Sequence, residues 1–503
     1  MTIPMPADQT AGDPSAGGSA VASASTTSMT SASVPVPPPG CPAHHAGAAA
    51  PDSLALYGYE ARTDPAGLYQ RLRDDQGSVA LVELEGGVPA WLVLGYRENM
   101  EAARTPSRFT RDSRVWRDWR EGRIGPDSPL VPILAWRPDC VSQDGREHQR
   151  LRAAVNECLA RFDRHGVRRH IQRYANELVD VFVETGRADL VGQFAQRLPM
   201  LVFTRLFGMA EQEGPRLIEA SEGLVKGGQR AVEYNNYVIN TLRMLTEARR
   251  ERPGHDFASW LVQHPAGLTD DEVLNHLRMV MVAGNETTTG LISSVLRMVL
   301  TDPRFRASLT GGLMTLPDAV EQMLWDEPPL MVCPARFATH DMRFGGQDVR
   351  EGDLLLLGLA AGNADPGVRP DLRAPMHGNR SHLAFSRGPH ECPGQEIARA
   401  ITDTGVDVLL ARLPDLQLDI PPELLSWTSS TWSRHLDALP VRFVPQRRPA
   451  PAAHAAPVHP DEAVLPDDTA LAREPDPVAS PAARRIHRGW RGAVAAWLRG
   501  RRG

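Results

Sequence analysis

Apolar residues recur at three- and four-residue spacing through most of the chain from Asp64 to about Phe443, and only a few short runs break that rhythm. Asp64-Pro-Ala-Gly-Leu-Tyr-Gln-Arg-Leu-Arg predicts a short helix. Asp64 offers an N-cap, Pro65 fills a first position that needs no N–H, and Leu68 and Leu72 share a face beside Tyr69. Val79–Leu84 and Trp91–Leu94, on either side of Gly86-Gly87, predict a β-hairpin. Helical patterns follow from Asp144, from Gln172 to about Glu184, and from Leu198 to about Arg250. Asp348 to Leu359 predicts a strand pair around Gly352, and Leu439 to Phe443 a closing strand. The balance is a mainly α fold with a small β region.

The longest pattern opens at Thr269-Asp-Asp-Glu272, a capping box, and runs largely apolar to Leu300 before Asp302-Pro303 ends it. One continuous helix of about 32 residues would span roughly 48 Å and cross the core. Its middle carries Ala283-Gly-Asn-Glu286-Thr287-Thr288. A carboxylate and a hydroxyl in so apolar a helix need partners. Thr287 can bond the Ala283 carbonyl one turn back, and Gly284 weakens the helix there, so a polar groove is expected in its wall.

Phe385-Ser-Arg-Gly-Pro-His-Glu-Cys392-Pro-Gly394 leads into a helical run from Gln395. Pro393 suits the first position of that helix, where Cys392 would meet free N–H groups and the positive end of the helix dipole. Both favour a thiolate. Glycines 388 and 394 are read as clearing space on either side of the sulfur for a flat ligand. The motif Phe-x-x-Gly-x-His-x-Cys-x-Gly resembles the heme-binding signature of the heme-thiolate monooxygenases, the cytochrome P-450 superfamily. Ala283 to Thr287 is similar to that family's oxygen-activation motif, and Ala360 to Pro366 to its Ala-Asn-Arg-Asp-Pro stretch, with Ala364 in place of Arg.

The resemblance implies the family's fold with a long central helix, and heme b with Cys392 as its iron ligand. It implies propionate contacts from His148, Arg152, Arg336 and His390, with Phe385 packed beside the sulfur and Gly394 close to the ring. Glu286 and Thr287 would relay protons and steady bound oxygen. The segment from 107 to 142 would roof a pocket with Val332 and Trp432 as further lining, and the later part of 198–250 would form its lid. The reaction implied inserts one atom of O2 into a small apolar organic substrate. Electrons would come from a ferredoxin and its reductase, since the chain shows neither cysteine clusters nor a glycine-rich nucleotide loop.

Composition narrows the surroundings. Hydrophobic residues make up 42% and charged residues 23% of 503, as in a globular protein with a substantial core. A net charge of −6 gives no reason to expect nucleic acid. Five scattered cysteines exclude a disulfide framework and fit a reducing, cytoplasmic compartment. Neither a signal peptide nor an apolar run of membrane-spanning length is seen.

The domain organisation reads as a disordered extension over 1–51, one catalytic domain over 52–447, a Pro/Ala-rich linker over 448–483 and a basic tail over 484–503. Cys41, His44 and His45 in the extension are read as coincidence rather than a metal site. In the tail, Ile486, Trp490, Val494, Trp497 and Leu498 fall on one helical face among arginines, a pattern suited to an anionic membrane surface or a partner protein.

One family motif is missing. Glu-x-x-Arg, which locks a helix to the cysteine loop through charge-assisted bonds, is replaced by Glu321-Gln322-Met323-Leu324-Trp325. Registered on Pro328-Pro329, Gln322 stands for the glutamate and Trp325 for the arginine. The expectation is that the charged lock cannot form and that packing plus neutral hydrogen bonds replace it. On the loop side the sequence offers Arg380 as a partner without deciding for it. A bacterial subgroup of the family carries Glu-Gln-x-Leu-Trp here. The change motivates a second reading, a heme-binding regulatory or scaffold protein with degenerate oxygenase activity.

Overall fold

The long apolar run folds as one helix, Asp270–Thr301, of 32 residues. This computed structural model describes residues 54–448 apart from 126–127, 227–230, 304, 306–313 and 377. The readings of the N-terminal extension, the linker and the basic tail lie outside the described residues. Both bonds of the capping box form: Thr269 Oγ1 accepts from Glu272 N at 3.2 Å, and Glu272 Oε2 accepts from Thr269 N at 2.8 Å. The second Glu272 oxygen pairs with Arg150 on the helix Gly145–Ala160. One turn on, His276 is wholly buried. Its Nδ1 donates to Glu272 O at 2.6 Å and its Nε2 accepts from Cys140 N at 3.0 Å. Burial lowers its pKa, so the ring is neutral and ties the central helix to the end of the 107–142 connection.

Helices Arg164–Phe182, Arg197–Leu206, Leu316–Asp326 and Gln395–Arg412 contribute with the central helix to the main core. Two expected helices have different limits. The first begins at Arg164, because Asp163 caps it by accepting from Gly166 N at 2.7 Å. The expected span 198–250 divides into Arg197–Leu206, Gly214–Lys226 and Ala231–Glu251. The break follows Phe207, where Gly208 at φ 75° takes the left-handed conformation that closes a helix.

The β region is a six-stranded sheet in the order Leu54–Ala55, Val79–Leu84, Val88–Val93, Leu354–Gly358, Val332–Ala338, Phe109–Thr110. The hairpin's second strand starts at Val88, earlier than Trp91. Pro89 is tolerated because pairing with Leu354–Gly358 begins only at Trp91, leaving its missing N–H on an unpaired edge. The strand pair expected around Gly352 does not form. Gln347–Val349 pairs instead with Met342–Phe344 through Gly345 and Gly346, both at positive φ. The leucines at 354–357 form a buried central strand with partners on both sides, as a continuous apolar run allows. The closing strand, Pro440–Arg442, joins Gln417–Leu418 and Arg187–Asp189 in a separate small sheet.

Candidate functional site

The cysteine loop is closed by a backbone bond from Cys392 N to Phe385 O at 2.9 Å. Pro393 lies in the turn before the helix, which begins at Gln395 after Gly394, so it is not the first helical residue as expected. A Cβ at Gly394 would sit 3.9 Å from the Cys392 sulfur, an ordinary contact distance. Gly388 does not flank the sulfur. It adopts φ 76°, and a Cβ would stand 2.5 Å from the Ala103 carbonyl, so it lets the loop dock on the helix Tyr96–Arg104. Burial pushes the Cys392 thiol up, and a bond from the Gly394 N–H pulls it partly back. Burial is the larger of the two effects, and the helix terminus opposes it through Gly394.

Beside the loop lies a buried group of cationic and imidazole side chains. The His148 and His390 rings pack at a tilt, with centroids 4.2 Å apart. Burial first, then Arg111, Arg336 and His148, lower the His390 pKa to about 3 against the pull of Asp144. The ring is therefore neutral, and its Nε2 donates to Asp144 Oδ1 at 3.0 Å. Burial alone would raise Asp144, but bonds from His390, Thr110 and the Arg111 backbone hold it at about 2. Arg336 is 2% exposed, and its one hydrogen bond among the described contacts goes from Nη1 to the neighbouring Ala335 carbonyl at 3.1 Å. No carboxylate pairs with it among the described residues. His148 Nε2 is likewise buried without a partner. A buried guanidinium and an orphaned imidazole nitrogen fit a group that brings its own carboxylates, as the two propionates of heme do.

Of the other residues anticipated here, Arg152 is spent on the loop itself: Nη2 donates to Glu391 O and Nε to Asn156 Oδ1 at 2.9 Å. Phe385 lies against His382 and under the Arg399 guanidinium, 4.6 Å from its ring centre. Arg111 and Asp144 belong to the group and were not anticipated, since no local pattern marks them.

In the central helix, Thr287 Oγ1 donates to Ala283 O at 2.7 Å, the bond its spacing called for. Val282 is 42% exposed and Ala283 beside it is exposed too, so this turn presents an open face. Gly284 also admits Phe203, whose ring would lie 2.6 Å from a Cβ. The Glu286 carboxylate turns to the β region and accepts from Ser433 Oγ at 2.7 Å. Trp432, next to Ser433, accepts from Met331 N and Val332 N through its carbonyl at 2.9 and 3.1 Å. Val332, read as pocket lining, is fully buried.

A charged lock is present after all. Glu321, one residue before the position registered on the prolines, is buried with Arg399 and His382. Arg399 forks its carboxylate, Nε to Oε1 at 2.6 Å and Nη2 to Oε2 at 3.2 Å, and His382 Nε2 lies 3.0 Å from Oε2. Arg380, 60% exposed, adds an outer contact at 3.4 Å. Burial would raise the Glu321 carboxyl, but the bonds from His382 and Arg399 hold it at about 2. The helix Leu316–Asp326 is thus tied both to the loop before Cys392 and to the helix after it.

The neutral contacts expected of the replaced pair form as well. Gln322 Oε1 accepts from Met376 N at 2.7 Å and Trp325 Nε1 donates to Asn379 O at 2.8 Å. Asn363 joins the layers, donating to Leu324 O at 2.9 Å and accepting from Leu383 N at 2.7 Å.

No family model matches the chain. Known proteins do. The cytochrome P-450 monooxygenase PikC of Streptomyces venezuelae is 31% identical over 408 residues, which cover 78% of this chain and 94% of that protein. Mycinamicin IV hydroxylase/epoxidase of Micromonospora griseorubida is 31% identical over 393 residues, covering 75% and 95%. Among solved structures, the P-450 monooxygenase TamI bound to tirandamycin C superposes with a TM-score of 0.67 at 30% identity, covering 78% of this chain and all of that one. Described residues 54–448 hold no helix long and apolar enough to cross a membrane. Sequence, architecture and the cysteine loop agree: the chain belongs to the cytochrome P-450 family of monooxygenases.

Proposed function

We propose that Cys392 ligates the iron of heme b and that the chain inserts one atom of O2 into an apolar secondary metabolite, taking electrons from a ferredoxin and its reductase. The observation that carries this reading is Arg336, buried beside the cysteine loop with no carboxylate partner among the described residues. Arg336, His148 and His390 would hold the propionates, Arg152 would brace the loop at Glu391, and Gly394 would keep the ring's approach clear. Heme, when bound, supplies the oxygen activation.

The protein's part is binding, orientation and proton supply. Thr287 keeps its hydroxyl proton directed at Ala283 O, which leaves the oxygen lone pairs free to accept from water on the open face of the helix. Glu286, held by Ser433, lies in the same turn and would pass protons from solvent toward that water. Trp432 and the open turn at Val282 suit an apolar substrate, and a relative that acts on mycinamicin IV supports a secondary metabolite. A cytoplasmic setting, with residues 484–503 meeting a membrane surface or a partner, completes the proposal.

The scaffold reading drew on the missing Glu-x-x-Arg. The Glu321–Arg399 ion pair removes that support.

The test is the absorption spectrum of the reduced protein under carbon monoxide. A strongly red-shifted Soret band, together with NADH consumption through a ferredoxin pair and substrate-dependent oxygen uptake, is the expected result. A short-wavelength band would place Cys392 off the iron and return the scaffold reading. No Soret band would sink the heme assignment.

A further inference from the structure

Arg336 reaches its buried position through a break in its strand. Cys333 pairs with Leu357 and Arg336 with Leu355, so Pro334 and Ala335 together oppose the single residue Leu356. This is a β-bulge. Pro334 has no N–H to lose there. Ala335 adopts φ 67°, a left-handed conformation that a side chain disfavours and that persists only where the surroundings impose it.

Arg111 gathers the carbonyls that the bulge turns out of the ladder. Its Nη1 donates to Pro334 O at 2.5 Å and to Ala335 O at 3.0 Å, and its Nε to Val141 O at 2.9 Å. Its backbone N–H is held by Asp144 Oδ2 at 2.7 Å, while the other Asp144 oxygen holds His390. One guanidinium therefore links the bulge to the segment leading into the His148 helix. It is spent on carbonyls, whereas the Arg336 guanidinium beyond the bulge has no anion.

We propose that Arg111 is a positioning residue that clamps the Pro334–Ala335 bulge in its left-handed conformation and so aims Arg336 at the acidic groups of heme. This rests on the heme reading above. Glycine at 335 adopts the same conformation without strain and would make the clamp dispensable.

The experiment compares Arg111→Met, Ala335→Gly and the double variant in the full heme-loaded chain, by the rate of heme transfer to apomyoglobin and by the propionate bending band in resonance Raman spectra. Arg111→Met is expected to release heme about tenfold faster, the scale of one lost charge-assisted contact. Its propionate band should shift, and Ala335→Gly should restore most of both effects. Arg111→Lys keeps the charge but loses the fork, should behave like the methionine variant, and serves in its place if that variant does not fold. Equal heme loss with and without Ala335→Gly would overturn the clamp, because Arg111 would then act through charge or general packing. Unchanged heme release in both Arg111 variants would overturn it too. A wild-type chain that takes up no heme fails the earlier reading, and is told apart from these results before any variant is made.

Discussion

Two buried clusters flank the Cys392 loop, and they are opposite in electrical design. Around Glu321 every charge is answered: one carboxylate receives a forked arginine, an imidazole and an outer arginine. Around Arg336 the accounts stay open, with Arg111, Arg336, His148 and His390 gathered about the single carboxylate of Asp144. A closed cluster stabilises the fold by itself. An open one has taken on the penalty of burying a guanidinium in advance of a ligand. The difference lies in charge balance alone, since His382 Nδ1 is as buried and unpartnered as His148 Nε2 among the described residues.

The comparison breaks first at Glu321. Glu321→Gln leaves Arg399 and His382 buried around a neutral amide and should cost about 3–5 kcal/mol in urea unfolding. A cost under about 1 kcal/mol would mean that the lock is not what joins these helices. The loss depends on pH. The folded carboxyl titrates at about 2, against about 4.3 when unfolded. Its contribution is therefore complete above about pH 4.3 and disappears as pH falls toward 2, so the gap between wild type and variant should narrow over that window.

Arg336→Met should act in the opposite sense on the unliganded chain. Replacing an unpaired buried charge by an apolar side chain of similar length should leave apoprotein stability unchanged or raise it by about 1 kcal/mol. Heme retention should fall about tenfold or more in the same variant. Calorimetry on apoprotein and heme transfer on holoprotein read the two halves, and a destabilised apoprotein would show that Arg336 has a structural partner.

The smallest effect is expected at Trp325. Trp325→Phe removes the Nε1 bond to Asn379 O while keeping most of the packing, and should lower stability by about 1 kcal/mol with the CO-bound Soret band unmoved. A displaced band would mean that this neutral bond also sets the cysteine geometry.

What the sequence made legible was local. The central helix announced itself through Thr269, Glu272 and the apolar run, because capping and periodicity act within a few residues. The Thr287–Ala283 bond is one turn long and equally visible. Glu321 was set aside because its partners lie 61 and 78 residues away, and because a motif started there puts Leu324 in the arginine position. Arg111 carried no signal, since the two carbonyls it holds exist as acceptors only after Pro334 and Ala335 have bulged. The division of 198–250 and the hairpin at Gly345-Gly346 turned on positive-φ glycines whose effect depends on tertiary approach.

His276 bears on how such a protein diversifies. The ring fastens the end of the 107–142 connection to the central helix by one bond, Cys140 N to Nε2, and the rest of that connection runs past Trp119 and Ile133, which are open to solvent. Within residues 117–137, Ile124, Leu130 and Leu134 are buried in the core with the β region, so it is the exposed positions, such as Trp119 and Ile133, that can change without disturbing it. A lineage could try new substrates by rewriting those exposed positions while inheriting the cysteine loop and both charge clusters intact.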